Sequence, residues 1–475
     1  MCEADRDTRV PLLCIVPPHL LRHLARGLSR DLAERALHTL AVSERMRGAR
    51  VVLGQVAALA VTPPGVKRRT VYDAGGVERL PGKLVRSEGD PPLRDRAVNE
   101  AYDGAGLTYD LYFQVYQRNS IDGRGMRIDS SVHYGTDFDN AFWDGRQMVY
   151  GDGDGVVFQR FTKSLDVIGH ELTHGVTQHE ANLEYQDQPG ALNESFSDVF
   201  GSLVKQYHLG QTAAAADWII GHGLFAKGVK GVGLRSMKAP GTAYHDPRIG
   251  RDPQPATMKG YVETQQDSGG VHINSGIPNH AFYLAATAIG GQAWEKTGRI
   301  WYLTLRDRLR RDADFAAAAR ATAEVAASLY GTAGAEARAV REAWAAVGVS
   351  AAVRRGRVRE DRVSAQRRVR GARPPARSRQ RGAAQRREPA ARGTGRARAA
   401  RGAGRPRGCG AARLVPVRPR DPGRGPAHHR APARSRAAGT GAPAGRAPGG
   451  DGAQPALRRG RCARAGRSGI VGPWS

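Results

Sequence analysis

Cysteine is scarce in this chain and poorly placed for structural use. The four are Cys2, Cys14, Cys409 and Cys462, and none falls between residues 15 and 408. Disulfides and thiolate metal sites are therefore excluded from that span. Long apolar runs are missing too. No stretch approaches the ~20 apolar residues that cross a bilayer, so no membrane partner is expected. The one short apolar stretch near the start, Val10 to Val16, is interrupted by Pro11, ended by Pro17-Pro18 and preceded by charged residues that are mostly acidic (Glu3, Asp5 and Asp7 against Arg6 and Arg9). A secretory signal has an unbroken apolar core behind basic residues. A soluble protein with no standard export signal is the expectation.

Lysine is absent from residues 351–475, and that absence splits the chain chemically. The segment holds 33 Arg against five acids (Glu360, Asp361, Glu388, Asp421 and Asp451), which is the whole of the net charge of +28. With 73 basic and 45 acidic side chains in all, the first 350 residues keep 40 of each. Their balance is that of an ordinary globular enzyme. Residues 350–475, rich in Arg, Gly, Ala and Pro, carry too few large apolar side chains to offset the ~1–2 kcal/mol per residue of backbone ordering. Disorder is expected there. Such a tail binds polyanions non-specifically by counterion release, but it lacks spaced aromatics for base stacking, Trp474 standing alone. A solvated extension, such as an out-of-frame translation of GC-rich DNA would give, is the preferred reading over a nucleic-acid reader.

The remainder divides by texture. Residues 1–50 form a leader whose segment HLLRHLARGLSRDLAERALHTLAV has apolar residues at helical spacing, predicting one or two amphipathic helices. From 51 to about 160, short β-type runs (VVLGQVAALAV, LTYDLYFQVYQ, RIDSSVHYG, RQMVYGDG) alternate with Gly, Asp and Asn. Helical patterns dominate from 165 to 349. A strand-rich half (51–180) followed by a helical half (181–349) predicts an α+β pair of lobes with a cleft between them.

The segment LDVIGHELTHGVTQ contains H-E-x-x-H at His170, Glu171 and His174. On a helix, residues four apart lie one above the other, so both imidazoles reach one ion at about 2.0–2.1 Å. Glu171 sits about 100° around the axis, beside the metal rather than on it. Glu194 follows twenty residues after His174 in GALNESFSDVFG, with Asp198 one turn further on. Two His and one Glu leave a zinc ion with an open fourth position, the catalytic arrangement. Asp198 is placed to accept the far N–H of a ligand histidine. A solvated acidic face is the competing reading of Glu194 and Asp198, and the neighbouring Ala191, Leu192, Phe196, Val199 and Phe200 argue against it.

HELTH, GALNESFSD and DSGGVHINSGIPN together resemble the thermolysin family, and especially its protealysin-like subgroup with short propeptides, from about residue 10 to 349. The resemblance implies a zinc-dependent neutral endopeptidase acting on protein or peptide substrates, made as a zymogen. Glu171 matches the general base, Tyr185 and His272 match the two oxyanion donors, and Asp267 matches the acid that orients His272. Asn140, Ala141 and Arg235 match the residues that hold substrate backbone. Phe158, Phe161, Val167 and Leu234 match the lining of a pocket for bulky apolar side chains, although for the Phe positions and Trp143 plain core packing is an equal reading. The fold implied is two-lobed, with the zinc helix between the lobes, and the protein is expected to be a monomer. Secretion follows from the resemblance, cytoplasmic residence being the alternative.

Calcium departs from the pattern. Asp166 is present, but Lys205 stands where the family's paired calcium site has a Glu, and a cation there opposes calcium binding. The paired site is expected to be absent, with Asp152 and Asp154 in YGDGDG a weak candidate for a single ion. CIVPPHLL resembles the short propeptide motif. The leader is thus expected to inhibit, with cleavage near residues 46–52 releasing activity. Cys14 is a candidate zymogen switch because a thiolate ligates zinc, or else a small buried hydrophobe. A zinc-binding pseudoenzyme and a polyanion binder are the competing functions. The intact Glu171, Tyr185 and His272 argue against the first, and the neutral body against the second.

Overall fold

Short runs of β-branched and aromatic residues in the first half build one mixed sheet. The structure, a computed structural model, describes residues 13–26, 29–53 and 63–351, without the side chains of 13 and 44–53. Among these, β1 (Leu13–Cys14), β2 (Arg69–Asp73), β3 (Lys83–Ser87), β4 (Ile128–Val132), β5 (Ala141–Trp143) and β6 (Met148–Tyr150) lie in the order β1-β5-β6-β4-β2-β3. The β2–β4 and β4–β6 pairs are parallel and the others antiparallel. β1 belongs to the leader and covers the edge of β5, with Leu13 opposite Trp143 and Cys14 opposite Phe142.

The leader's expected helices are present as α1 (Pro18–Ala25), opened by proline at its first position, and α2 (Arg30–Leu53). Two β readings are corrected. Residues 51–53 of VVLGQVAALAV finish α2, the rest of that run lying outside the described residues. LTYDLYFQVYQ is not a strand: it ends α3 (Arg96–Asp110) and continues through a π-helical turn at Leu111–Val115. The aromatic content suggested a strand, but Tyr109, Tyr112, Phe113 and Tyr116 recur at three- and four-residue steps. That spacing puts them on one helical face, where Tyr109 stacks on Phe113, and Tyr112 and Tyr116 pack against Phe200 and Tyr302. Asp95 caps α3 by accepting from the amides of Ala97 and Val98.

The second half is helical as expected: α4 (Leu165–His179), α5 (Asp187–Leu209), α6 (Asp267–Asn274), α7 (Gly276–Ile289), α8 (Lys296–Asp307), α9 (Phe315–Tyr330) and α10 (Ala335–Ala346). Two small antiparallel pairs, β7 (Ile219–Ile220) with β8 (Arg235–Ser236) and β9 (His245–Asp246) with β10 (Gly250–Arg251), interrupt it. The fold is therefore α+β. α4 and α5 are buried along most of their length and form its centre. The disorder expected of 350–475 concerns residues that, after Ala351, lie outside the described set.

Candidate active site

Two helices crossing at glycines build the site. α4 carries His170, Glu171 and His174; α5 carries Glu194 and Asp198. Where they cross, a Cβ on Gly201 would lie 2.3 Å from the Asp166 carbonyl oxygen and 2.9 Å from the His170 amide nitrogen. Only glycine permits that approach. It brings Nε2 of His170 and of His174 to 3.0 Å. Glu194 Oε2 lies 3.5 Å from His170 Nε2, and Oε1 3.4 Å from His174 Nε2. Zinc bonds of about 2.0–2.1 Å at tetrahedral angles require ligand atoms about 3.3 Å apart. The three side chains fit that spacing and are fully buried. Glu194 Oε2 is buried and accepts no hydrogen bond, a cost that a cation at this position removes. Among the described residues, these three form the group able to hold a metal.

The far ring nitrogens are fixed. His170 Nδ1 donates to Asp198 Oδ1 at 2.8 Å. His174 Nδ1 lies 2.9 Å from Asn193 Oδ1 and 2.8 Å from Ser197 Oγ. With Nδ1 engaged, each Nε2 presents its lone pair to the metal position. Asn193 and Ser197 were not singled out from the sequence. Their signal was position: they flank Glu194 at −1 and +3 on the face of α5 that meets α4. Asp198 is in turn gripped by Arg235, whose Nε and Nη2 donate at 2.8 and 2.7 Å, and by Asn279 Nδ2 at 2.8 Å. Burial works to raise the Asp198 pKa, but Arg235 and His170 outweigh it and hold the carboxyl well below the ordinary range.

Glu171 is buried behind β5, and its Oε2 accepts from the Trp143 amide at 3.1 Å. A left-handed run from Asp267 to Gly270 opens α6 and delivers His272 to the other side of the metal position. Gly269 has φ +83° and a Cβ on it would lie 2.9 Å from the Asp187 amide nitrogen, so that turn favours glycine. Asp267 Oδ1 accepts from His272 Nδ1 at 2.6 Å, and Oδ2 from the His272 amide at 3.0 Å. Burial would lower the His272 pKa, but Asp267 and Glu194 outweigh it and raise it to about 9. His272 Nε2 lies 3.1 Å from the Tyr185 hydroxyl, which itself donates to Glu194 Oε1.

The leader's main chain crosses this site. His272 Nε2 is 2.9 Å from the Cys14 carbonyl oxygen. The Ile15 amide donates to the Ala141 carbonyl at 3.2 Å, and Arg235 Nη1 donates to the Ile15 carbonyl at 3.0 Å. The Val16 amide donates to Asn140 Oδ1 at 3.0 Å. Asn140, Ala141, Arg235 and His272 thus hold three successive residues of the chain's own leader. The Cys14 side chain packs with Val42, Ala74, Tyr134, Phe138, Phe142 and Val149, and its sulfur is not in the metal-holding group. The metal-switch expectation for Cys14 is corrected accordingly: its carbonyl faces the site, and its thiol serves as a small buried hydrophobe. Phe158, Phe161, Val167 and Leu234 are all buried, in the core cluster that also takes Ile15.

Lys205 Nζ lies 2.7 Å from Asp166 Oδ2, 3.0 Å from Asp217 Oδ1 and 2.7 Å from the Ile219 carbonyl. The ammonium thus sits among the oxygens that a cation would use. Asp152 is taken by His133 at 2.8 Å, and Asp154 Oδ1 caps the amides of residues 156–158.

Residues 67–178 match the family described as thermolysin metallopeptidase, catalytic domain, and residues 181–349 match thermolysin metallopeptidase, alpha-helical domain. An "Extracellular metalloprotease" of Pectobacterium carotovorum subsp. carotovorum is 50% identical over 352 residues, covering 71% of this chain and 97% of the relative. A "Thermolysin" of Alicyclobacillus acidocaldarius subsp. acidocaldarius is 42% identical over 288 residues, 58% of this chain and 50% of the relative. The solved precursor of protealysin, a metalloproteinase from Serratia proteamaculans, aligns with a TM-score of 0.66 at 53% identity, covering 71% of this chain and all of that one. On these matches and this donor set, the chain belongs to the thermolysin family, on its protealysin-like side, and is a zinc metalloendopeptidase.

Proposed function

We propose that the chain is the zymogen of a neutral endopeptidase that cleaves on the amino side of bulky apolar residues, with Glu171 as general base. The observation that carries the reading is the leader's register. It engages Asn140, Ala141, Arg235 and His272 through main-chain groups alone, as any peptide substrate could. In that register Cys14 contributes the carbonyl at the reaction centre, and Ile15, buried in the core cluster, stands for the apolar residue that follows the scissile bond.

His170, His174 and Glu194 would hold zinc, which supplies Lewis-acid polarisation of the scissile carbonyl and acidifies an attacking water. Glu171, held by the Trp143 amide, takes the proton from that water and passes it to the leaving amine. Tyr185 and His272 donate to the developing oxyanion, and the Asp267 carboxylate keeps the His272 donor aimed. Arg235 joins two tasks: it grips Asp198 behind His170 and donates to the carbonyl after the scissile bond. Phe158, Phe161, Val167 and Leu234 would line the pocket for that residue's side chain.

In the same reading residues 1–50 are the inhibitory propeptide, 51–180 the lobe ending in the zinc helix, and 181–349 the helical lobe. The enzyme works as a monomer. The relative named as extracellular supports secretion as the location. Lys205 between Asp166 and Asp217 supports the absence of a paired calcium site. The test is hydrolysis of casein or a fluorogenic peptide by processed protein, with and without a zinc chelator, beside Glu171→Gln. Activity surviving in zinc-loaded Glu171→Gln would remove the general-base assignment; no activity from folded, zinc-loaded, processed wild type would remove the function.

A further inference from the structure

The leader's first helix packs on the body through Leu20, Leu21 and Leu24, and beside them it sets one imidazole that has room for only one proton. His19 Nε2 lies 3.1 Å from the Tyr244 hydroxyl, while Nδ1 is shut off from solvent with no hydrogen-bond partner. A neutral ring tolerates this by donating from Nε2 and leaving Nδ1 as a bare acceptor. A second proton would go on Nδ1, where a charged N–H would be buried without an acceptor. The facing groups do not change that outcome. Asp267 attracts the charge, while His272 and Arg235 from the body and Arg22 from α1 repel it, and Tyr244 stays a neutral phenol. Burial, the largest effect, together with these cations lowers the docked His19 pKa to about 4. Elsewhere on the leader, His38 sits 2.7 Å from Glu78 and Arg35 3.3 Å from Asp137. Both are surface pairs and contribute little.

We propose that His19 makes docking of the leader acid-labile, so that the leader holds the cleft at neutral pH and lets go below about pH 6, where a free histidine takes up its proton. This rests on the reading of residues 13–53 as a cover over the active site. The linkage has a definite sign. The docked state binds fewer protons than the released one, so docking is intact above the ordinary histidine pKa and lost as pH falls through it. Between pH 7.5 and pH 5 the docking equilibrium shifts toward release by ~30-fold, from a free pKa of about 6.5 and the docked value of about 4.

The experiment uses the full chain with Glu171→Gln, which blocks self-processing, and measures hydrogen exchange of the amides of residues 19–25 at both pH values, corrected for intrinsic rates. Protection should fall ~30-fold in this protein. With His19→Gln added, which still reaches Tyr244 but does not titrate, it should change less than about threefold. If that variant fails to dock, Tyr244→Phe, which keeps the imidazole with its enclosed Nδ1, should retain the pH dependence. Equal protection at pH 5 and 7.5, an unchanged fall in His19→Gln, or a pH-independent Tyr244→Phe would each overturn the proposal. Exchange reads docking whether or not docking inhibits. A parallel peptide assay on the unprocessed wild type at pH 7.5 therefore tests the inhibitory reading separately: full activity with the leader docked would refute that reading alone.

Discussion

Replacing Gly201 by Ala adds one methyl group at the point where α4 and α5 cross. Its Cβ would start 2.3 Å from the Asp166 carbonyl oxygen and 2.9 Å from the His170 nitrogen. Both are backbone atoms, so no side chain can rotate away. Reaching even a 3.0 Å contact demands a retreat of about 0.7 Å by one helix, because close-packed interiors offer no slack. Helix propensity favours the change by about 1 kcal/mol, while overpacking of a fixed core costs about 1–3 kcal/mol. The net is destabilising. Zinc gives the sharper readout. Glu194 rides on α5 and His170 on α4, and metal sites tolerate displacements of about 0.2 Å. A shift of about 0.7 Å should weaken zinc binding on the order of 100-fold. Metal content after dialysis against a graded chelator, with thermal unfolding of the zinc-loaded protein, measures both. Gly210→Ala is the control: it ends α5 in the left-handed region with nothing within 4 Å, so it should cost about 1 kcal/mol and leave zinc affinity unchanged. A Gly201→Ala protein that matched wild type in chelator titration and melted no lower would refute the idea that this crossing sets the ligand geometry.

Cys14→Ala should leave the precursor latent in a peptide assay, whereas Val16→Pro, which removes the amide held by Asn140, should release activity at neutral pH. Arg235→Lys keeps the charge but loses the paired donors to Asp198 and the donor to the peptide carbonyl, so kcat/KM of the processed enzyme should fall on the order of 100-fold. Lys205→Glu places three acids together, and its melting temperature should rise with millimolar calcium while that of wild type stays flat. His133, between Asp152 and Asp95, has its pKa raised to about 9. Its contribution is present below pH 6.5 and lost as pH rises through 9, about 1 kcal/mol after solvent screening. Melting curves of wild type and His133→Asn should therefore converge between pH 7 and pH 9.5.

Legibility of this molecule in its sequence follows how local each constraint is. His170, Glu171 and His174 share one helical turn, so spacing alone defines their face, and the structure adds only depth. Glu194 and Asp198 are one turn apart on a second helix, and there the sequence shows that both can face one way without showing what they face. The missing information is the crossing, and it is written in Gly201 and in Gly169, where a Cβ would lie 3.0 Å from the Gly201 Cα, residues whose role is invisible until the second helix is in place. Asn193 and Ser197 were overlooked for the same reason, since a polar neighbour of a ligand has meaning only when the other helix supplies a ring nitrogen to bond. The aromatic segment 107–117 failed differently: its residues are strong strand formers, and burial against Phe200 and Tyr302 overrode that propensity in favour of the three- and four-residue spacing. Cys14 is the instructive case, left open by the sequence between a zinc ligand and a small buried hydrophobe. Its chemistry pointed to the metal, yet a peptide entering a cleft in strand form sends alternate side chains to opposite faces. Once the carbonyl of residue 14 is held by His272 and the amide of residue 15 by Ala141, backbone geometry decides where the thiol goes, and it goes to the apolar cluster with Phe138 and Phe142. A leader held in the cleft through its backbone needs no special residue at that position, which is why residue chemistry alone could not choose between the two readings there.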